Sequence, residues 1–599
     1  MTMKDLIRRW RIGHNDRLLG RAWPLVLTIL FTVLAVFTLP LGLVGLATIN
    51  TAQQFDWNVW NFTFEMIQIY TAQSPGWLDS TTPVPLSYDM AQVLGPLSTG
   101  YALFSTAAVV LGDRSRALRA RVAHGHVIVC GTGRAGVELT RSVATVARCV
   151  LVGQDVASPK TSTSLVRRTL ALSGDPRDTV VLRRAGVRRA REIFAVDDRG
   201  DVNAAVAVAA KRATLTRHGV LQCFAVIDNP DLQLTLQARL LGRVSSSHLD
   251  VHLLDRHQLL ASAIVVHEVP EPDALTLVVG DGPTAVALGL AVVRSLTDAV
   301  RPAGARAVLY LGGGCAAEVE QTARRRWPAV TDHVNLVVRR SNLPDSFERM
   351  TVSAPKATVF VSARTDDTTL QTGLMWLNNG RVDVHRVVFC MDAETGLSGA
   401  FTPGASGMFE AQDSVVRVYS RSLALADPDH LRNQSLTERL ARAMHELYRA
   451  QENPGPTASD APTPGVLLPW EALPDWLKAP NRDQARDVGR KMSEMNFAVV
   501  PARGARTEFR FSAADVETLA RMEHSRWMTE RRGRGFVVGA QRTDRTHPDM
   551  VPWEDLSDRG RDKDRMFIRG LPGLLHAEGF EIVPLPVNTE SRTVSRGPL

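Results

Sequence analysis

Hydrophobic positions fall into four regimes along the chain. From Ala22 to Phe55 there is no formally charged residue, and the core of that stretch, WPLVLTILFTVLAVFTLPLGLVGLATIN, is almost wholly apolar. About 20 such residues suffice for a helix to cross a bilayer. Pro40 is expected to kink this helix or end it early. A second uncharged run, Val93 to Gly112, is more polar, with Ser98, Thr99, Ser105 and Thr106. It suits a helix facing other protein or a watery path. Between the runs, Trp57, Trp60, Phe64 and Ile67 recur at helical spacing and predict a short interfacial or re-entrant helix. From Val127 the pattern changes to short apolar strands alternating with amphipathic helices, the order of a parallel α/β fold. The stretch QENPGPTASDAPTPGV, from Gln451 to Val466, reads as a linker, and a compact, mainly helical segment follows it.

Charge orients the front of the chain. Lys4, Arg8, Arg9, Arg11, Arg17 and Arg21 precede the first run, and Arg114, Arg116, Arg119 and Arg121 follow the second. Residues 51–92 hold no Lys or Arg but include Asp56, Glu65, Asp79 and Asp89. The positive-inside rule then puts both termini in the cytoplasm and the acidic loop outside. The expectation is a multi-pass protein of the cell inner (plasma) membrane, with the lipid bilayer as a partner. Residues 1–21 would be a basic cytoplasmic N-terminus, and 22–124 a two-helix transmembrane domain with an external loop at 51–92. A potassium filter needs a TVGYG-like loop. None occurs in the sequence, and Thr99-Gly100-Tyr101 is only a fragment, placed in the second run.

Composition narrows the chemistry. Hydrophobic residues at 45% and charged residues at 22% are ordinary for a folded protein and exclude wholesale disorder. Five cysteines in 599 residues exclude a disulfide scaffold, and none forms a CxxC pair. With no HExxH either, no metal is expected. The net charge is +8, but near the C-terminus arginines and acids intermix. Nucleic acid, which wants an unbroken basic stripe, is therefore not an expected partner.

The first strand, Val127 to Cys130, runs into Gly131, Gly133 and Gly136, spaced GxGxxG. The first glycine allows the tight turn and the second lets backbone approach a pyrophosphate. The third allows close helix–strand packing, with the helix N-terminus facing the anion. Gly131, Gly133, Arg134 and Gly136 are the candidate cofactor contacts. The ribose-binding acid is expected at the end of the second strand, Cys149 to Val152, where Asp155 is the candidate. Gly153 holds the more usual slot, which leaves NAD preference open. Asp175 and Asp197, which close the next two strands, complete the set. Residues 125–265 form this first Rossmann unit. ALTLVVGDGPTAVALGLAVV repeats the strand–turn–helix order with Gly280 and Gly282, so 273–420 reads as a second, degenerate unit. Whether it binds a ligand or is an empty α/β fold stays open.

GTGRAG, GDPRDTVVLRRAGV and AVDDRGDVN resemble the TrkA-N/RCK family, the regulatory nucleotide-binding domains of potassium channels and transporters, over roughly 125–244. The resemblance implies a ligand-gated regulatory domain that dimerises and assembles in rings, and no enzyme. It also implies NAD(H) or another adenine nucleotide as the ligand. Consistent with that, no Ser with Tyr-x-x-x-Lys arrangement is evident and no catalytic residue is assigned. Further on, LARMEHSRW (519–527), GFVVGAQR (535–542) and HPDMVPWEDL (547–556) resemble the RyR domain named for ryanodine receptors, with Phe536 where Trp is commoner. It would span 469–590, behind a helix and Pro-rich linker at 421–468. His524, Trp527, Arg531, Arg542 and Trp553 are its candidate pocket, because aromatic faces and guanidinium forks suit a base and a phosphate. The alternative is that the tryptophans are core and the arginines a solvated face.

The expected fold class is thus a membrane α-helical hairpin, a Rossmann-like (RCK/TrkA-N) α/β tandem and a small, mainly α-helical RyR domain. Bacterial two-transmembrane TrkA-N/RCK proteins with a C-terminal RyR domain share this plan. The expected function is a membrane ion channel or ion-transport protein gated by small nucleotide-type ligands. The alternative is a non-conducting, membrane-anchored nucleotide sensor in stress or phage-defence signalling. Two spanning helices cannot enclose a pore, so a homo-oligomer is expected. Two Rossmann units per chain favour a tetramer, and a dimer stays open.

Overall fold

The computed structural model describes residues 16–50, 58–71, 73, 84–154, 156, 168–215, 219–241, 248–270, 274–299, 305–344, 356–378, 382–391, 416–420, 422–451, 467–503, 509–541, 543 and 545–586. The chain divides into two compact units, Met1–Arg116 and Ala117–Leu599. Asp155, Arg542, the N-terminal residues 1–15 and most of the Pro-rich linker lie outside the described residues.

The first unit holds α1 (Asp16–Asn50), the short α2 (Val59–Tyr70) and most of α3 (Leu86–Val122). Pro40 does not end α1. A helix tolerates a proline where neighbouring groups take up the backbone it frees; separately, the Tyr70 hydroxyl donates to the Ala35 carbonyl at 2.5 Å and ties α2 to α1. Leu27–Ile49 within α1 is long and apolar enough to cross a membrane, and among the described residues no other helix is. Its outward residues, such as Val36 and Phe37, are about three-fifths exposed, at 61% and 60%. The predicted second span is helical, inside α3, but α3 does not reach the same apolar measure over its described residues. Small residues let these helices approach. A Cβ on Gly45 would lie 2.6 Å from Tyr88 Cβ, and one on Gly95 would lie 2.7 Å from the Ile69 carbonyl oxygen.

The second unit begins with two six-stranded parallel sheets. The first contains β1 (Val127–Cys130), β2 (Cys149–Gly153), β3 (Thr169–Ser173), β4 (Glu192–Ala195), β5 (Leu221–Ile227) and β6 (Leu249–Asp255), in the order β3-β2-β1-β4-β5-β6. Its helices are α4 (Arg134–Val146), α5 (Thr179–Arg184), α6 (Gly200–Ala213) and α7 (Pro230–Leu241). The helix α8 (Arg256–His267) leads out of it. Strands buried on both faces explain the unbroken apolar runs such as VIVC and CVLVG. One face packs around Ile128, Val150 and Ile193, the other around Val129, Leu139 and Phe194.

The second sheet repeats the plan. β7 (Leu275–Gly280), β8 (Ala307–Gly312), β9 (Val334–Arg339), β10 (Ala357–Ser362), β11 (Val384–Met391) and β12 (Val416–Ser420) run in the order β12-β11-β10-β7-β8-β9. This is the same doubly wound order as the first sheet, with the crossover between β7 and β10. The helices are α9 (Pro283–Asp298), α10 (Ala316–Arg326), the one-turn α11 (Val330–His333) and α12 (Asp366–Leu377). The connecting α8 serves both cores. Leu259 packs with the first, and Leu260, Ala261 and Ile264 with the second.

The remaining elements are α13 (Pro428–Asn433), α14 (Leu436–Gln451), α15 (Asp475–Glu494), β13 (Phe497–Pro501), α16 (Ala513–Gly533), the two-residue β14 (Val537–Val538) and β15 (Thr546–His547), α17 (Asp558–Ala577) and β16 (Phe580–Pro584). The helix α14, which the sequence assigns to the segment before the linker, belongs to the C-terminal core. Its apolar stripe of Leu440, Ala441 and Met444 packs with Trp470, Val488, Leu519 and Leu571. The C-terminal module is not purely helical, because β13 and β16 pair antiparallel. Farther back, Arg432 on α13 grips the β4 residue Glu192 in bidentate fashion, at 2.9 and 2.8 Å.

Candidate functional site

The turn after β1 has the geometry that its glycines predict. Gly131 sits at φ +127°, where L side chains are strained. A Cβ there would also lie 2.8 Å from the Asp197 backbone nitrogen. A Cβ on Gly136 would overlap the Gly131 carbonyl oxygen, so the third glycine seats α4 against the turn. Gly133 caps α4 without a side chain and Arg134 is exposed in its first turn, leaving the helix N-terminus accessible.

The β4 end faces this turn across the switch point of the sheet. Asp197 is held by its backbone. Its N–H donates to Asn203 Oδ1 at 2.8 Å, and its carbonyl accepts from Asn203 Nδ2 at 2.9 Å and Arg256 Nη2 at 2.8 Å. Asp198 approaches Gly133, whose Cβ would lie 2.6 Å from Asp198 Oδ2. Asp175 lies beyond β3 and is engaged locally. It takes Arg177 at 2.7–3.0 Å, and the Arg177 hydrogen bond holds its carboxyl below the usual range. The fold therefore brings Gly131, Gly133, Arg134, Gly136 and Asp197 to one crevice, with Asp175 at an adjacent strand end. Sequence reading missed Asn203, Asp228 and Arg256, which fix the far wall. The asparagine three residues after the glycine in DDRGDVN is the visible signal for the first of them.

Residues 127–244 match the TrkA-N domain. No curated protein matches the chain. Among solved structures, GsuK bound to ADP is similar at 16% identity, covering 68% of this chain and 97% of that one, with a TM-score of 0.30. The GsuK channel follows at 17% identity, 68% and 98% coverage, TM-score 0.31, and the GsuK channel bound to NAD at 13%, 84% and 91%, TM-score 0.29. At TM-scores this low the likeness carries no argument about this chain.

The turn of the second sheet differs from that of the TrkA-N domain in one respect that matters. Asp281 stands between Gly280 and Gly282, where Thr132 stands in the first turn. Its carboxylate accepts from the Arg364 backbone at 3.2 Å and lies 3.3 Å from Arg364 Nε, joining the end of β7 to the end of β10. A Cβ on Gly313 would overlap Asn342 Oδ1. Side chains of the chain itself thus lie against this crevice, with Asp281 between its two glycines.

The C-terminal module has a cavity of about 220 Å³ between α14, α15, α16 and α17. His524, Trp527 and Arg531 line it, together with Tyr448, Glu523 and His547. Trp527 is half-buried, His547 meets its edge at 4.9 Å, and the Arg531 guanidinium lies 5.9 Å from its ring centre. Trp553 does not line the cavity. It is a core residue, 6% exposed, and its indole donates to Glu517 Oε1 at 3.0 Å.

An ionic floor, which no motif in the sequence announces, lies beneath. Lys491 is fully buried, with Nζ 2.7 Å from Glu523 Oε2 and 2.5 Å from Asp487 Oδ2. Arg526 lies 2.7 Å from Glu523 Oε1. Burial alone would raise the Glu523 carboxyl, but Lys491 and Arg526 override it and hold it at about 2. His524 is raised. Burial opposes its charge, but Asp564 at 3.4 Å and the Val551 carbonyl at 2.8 Å prevail. Among the described residues no cluster of His, Cys, Asp or Glu is arranged to hold a metal. All five cysteines are buried, and burial pushes the Cys149 thiol up to about 12, which makes it a poor nucleophile.

Proposed function

We propose that the chain is a ligand-regulated membrane ion-transport protein, a channel subunit or close equivalent, in which the TrkA-N domain reads an adenine nucleotide such as NAD(H). It is not an enzyme. The observation that carries this reading is the end of α3. Only residues 123–126 separate it from β1, the strand that leads into the glycine turn. Ala120 is fully buried in the first sheet's core, and Arg189 Nη1 donates to the Arg121 carbonyl at 3.4 Å. A change at the turn therefore acts on the last turn of α3 through packed atoms and not through a loose tether.

In this reading α1 and α3 span the inner membrane with both termini cytoplasmic, and chains assemble as a homo-oligomer, a tetramer by preference. The C-terminal module is an RyR domain whose cavity takes a second nucleotide-type ligand of roughly nucleobase size, since it is smaller than the ~300 Å³ where ligand pockets usually begin. The open glycine turn of the TrkA-N domain is the main site, and the crowded second turn is structural. The alternative, a non-conducting membrane-anchored sensor in stress or phage-defence signalling, is favoured by the lack of a TVGYG-like loop.

The deciding experiment reconstitutes purified protein in liposomes and follows potassium and sodium flux with and without NAD, NADH and ADP. Nucleotide-dependent flux supports transport. Nucleotide binding with no flux under any condition defeats transport and leaves the sensor.

A further inference from the structure

A second cavity, of about 680 Å³, lies where α7, α8, α9 and α10 meet α14 and the end of α17. Its volume is in the range of small-molecule sites. Its wall is built from arginine. Arg294, Arg325, Arg326, Arg439 and Arg442 all line it, against two inward carboxyl groups, Asp255 and Glu578. Glu578 is already engaged, by Arg439 at 2.7 Å and Arg294 at 3.4 Å. Asp255 caps α8 through the His257 backbone at 2.8 Å. The other acids of the lining, Asp231, Asp298 and Glu318, are exposed at the rim.

The arginines are not all satisfied. The Nε atoms of Arg325, Arg326 and Arg442 are buried without a hydrogen-bond partner, although Arg325 also donates to the Arg503 carbonyl at 3.2 Å and the half-exposed Arg442 lies 3.4 Å from Glu471. Arg326 packs its guanidinium on Gly579, whose Cβ would lie 2.8 Å from Nη2. Burial, reinforced by Arg325 and Arg439, pulls Arg326 down to about 10 despite the opposing charge of Glu578. Desolvating a guanidinium and leaving its donors idle is costly, and a protein keeps such groups where an anion is to be bound. Val286, Leu290 and Trp327 add an apolar stretch of wall beside the arginines.

We propose that this junction is a second ligand site, distinct from the glycine turn, for a small molecule carrying adjacent phosphates. Arg326 and Arg442 grip the phosphates, and an organic moiety lies on the apolar wall. The site touches both sheets and the C-terminal module, so an occupant would clamp the three together.

The test uses the full-length protein in detergent and titrates pyrophosphate and ADP by calorimetry, beside Arg326→Met, Arg442→Gln and Gly136→Val. The wild type should bind both, and ADP more tightly if the apolar wall is used. Each arginine variant should weaken pyrophosphate binding at least about tenfold, while Gly136→Val keeps it; ADP is compared in the Gly136→Val background, where the glycine turn no longer contributes. Arg326→Met should also leave the ligand-free melting temperature close to that of the wild type, because it removes a buried guanidinium whose Nε has no hydrogen-bond partner while Arg294 and Arg439 still hold Glu578. If pyrophosphate fails to bind, or binds both arginine variants as it does the wild type, the site does not exist. Loss of binding in Gly136→Val alone would assign the anion to the glycine turn and overturn the proposal.

Discussion

His257 Nδ1 lies 2.8 Å from Thr284 Oγ1, and through this pair the first turn of α8 is joined to the first turn of α9. The other ring nitrogen lies 3.0 Å from the Asp228 carbonyl at the end of β5. Asp228 in turn accepts from the Gly200 backbone at 2.7 Å and pairs with Arg256, which reaches the Asp197 carbonyl. The wall of the candidate crevice is thus connected, atom by atom, to the start of the second sheet's first helix. Because Asp228 offers a carbonyl, Nε2 donates and Nδ1 accepts from the threonine hydroxyl.

His257→Phe keeps the bulk and removes both hydrogen bonds. It should destabilise the second unit by about 1–3 kcal/mol, the usual cost of stranding buried partners. The specific expectation concerns communication. In wild type, NAD should increase hydrogen-exchange protection in both 197–206 and 283–290. In the variant the first segment should respond and the second should not. Equal responses in both segments would remove His257 from the connection.

Gly136→Val tests the turn itself. The added Cβ would meet the Gly131 carbonyl, so α4 must move away from β1. Overpacking of this kind costs about 1–3 kcal/mol, and nucleotide binding at this turn should be lost, so the variant is measured in the Arg326→Met background, where the arginine-lined junction no longer contributes. Retained NAD affinity, measured by calorimetry on the folded variant, would show that the nucleotide does not use this turn.

Why the sequence revealed this site and concealed others follows from range. The turn after β1 is local. Glycine spacing, a preceding apolar strand and a following helix all lie within residues 127–146, and each leaves a mark in the residue pattern. The short α2 was legible for the same reason, through its aromatic period. The arginine-lined junction draws Arg294, Arg326, Arg442 and Glu578 from distant stretches, and nothing in any one stretch announces it. Nothing in the sequence around Lys491 distinguishes it from the other charges of α15, and only tertiary packing buries it fully. The second glycine turn shows the limit of a motif. GDG preserves the backbone bend, but the acid between the glycines turns inward onto Arg364.

Lys491→Met should be among the most damaging single changes in the C-terminal module. It leaves Glu523, 2% exposed, with only Arg526 to offset it. Removing one partner of a buried pair costs about 3–5 kcal/mol. Adding Glu523→Gln to Lys491→Met should recover part of that loss, since the stranded charge disappears, so the two changes will be non-additive in a double-mutant cycle. The Glu523 carboxyl titrates at about 2 in the folded chain and about 4.3 when unfolded. Its contribution is therefore complete above the unfolded value and lost as pH falls toward the folded one. The stability gap between wild type and Glu523→Gln should close on acidification. A gap that persists unchanged at low pH would mean that Glu523 acts through shape and not charge.

His524 gives the opposite pH dependence. Its Nε2 lies 2.8 Å from the Val551 carbonyl and its Nδ1 3.4 Å from Asp564 Oδ2, so both ring nitrogens face acceptors. Only the doubly protonated imidazolium can donate to both. Asp564 is itself pushed up by burial, with Glu523 adding to that, but His524 is raised even so. A raised folded pKa means that the stabilisation is fully present below the unfolded value of about 6.5 and disappears as pH climbs through the folded value. His524→Gln can donate through only one group, so it should fall furthest behind wild type in mildly acidic buffer and draw level in alkaline buffer. Tryptophan fluorescence reads the unfolding directly, because Trp527 stacks on His524 with ring centres 5.7 Å apart. The same proton adds one positive charge to a cavity lining that also holds Arg526, Arg531, Lys563, Glu523, Asp549 and Asp564, so an anionic ligand there should bind more weakly as pH rises through the His524 value. If wild type and variant differ by the same amount at every pH, His524 is held neutral and the cavity carries no proton-dependent charge at this position.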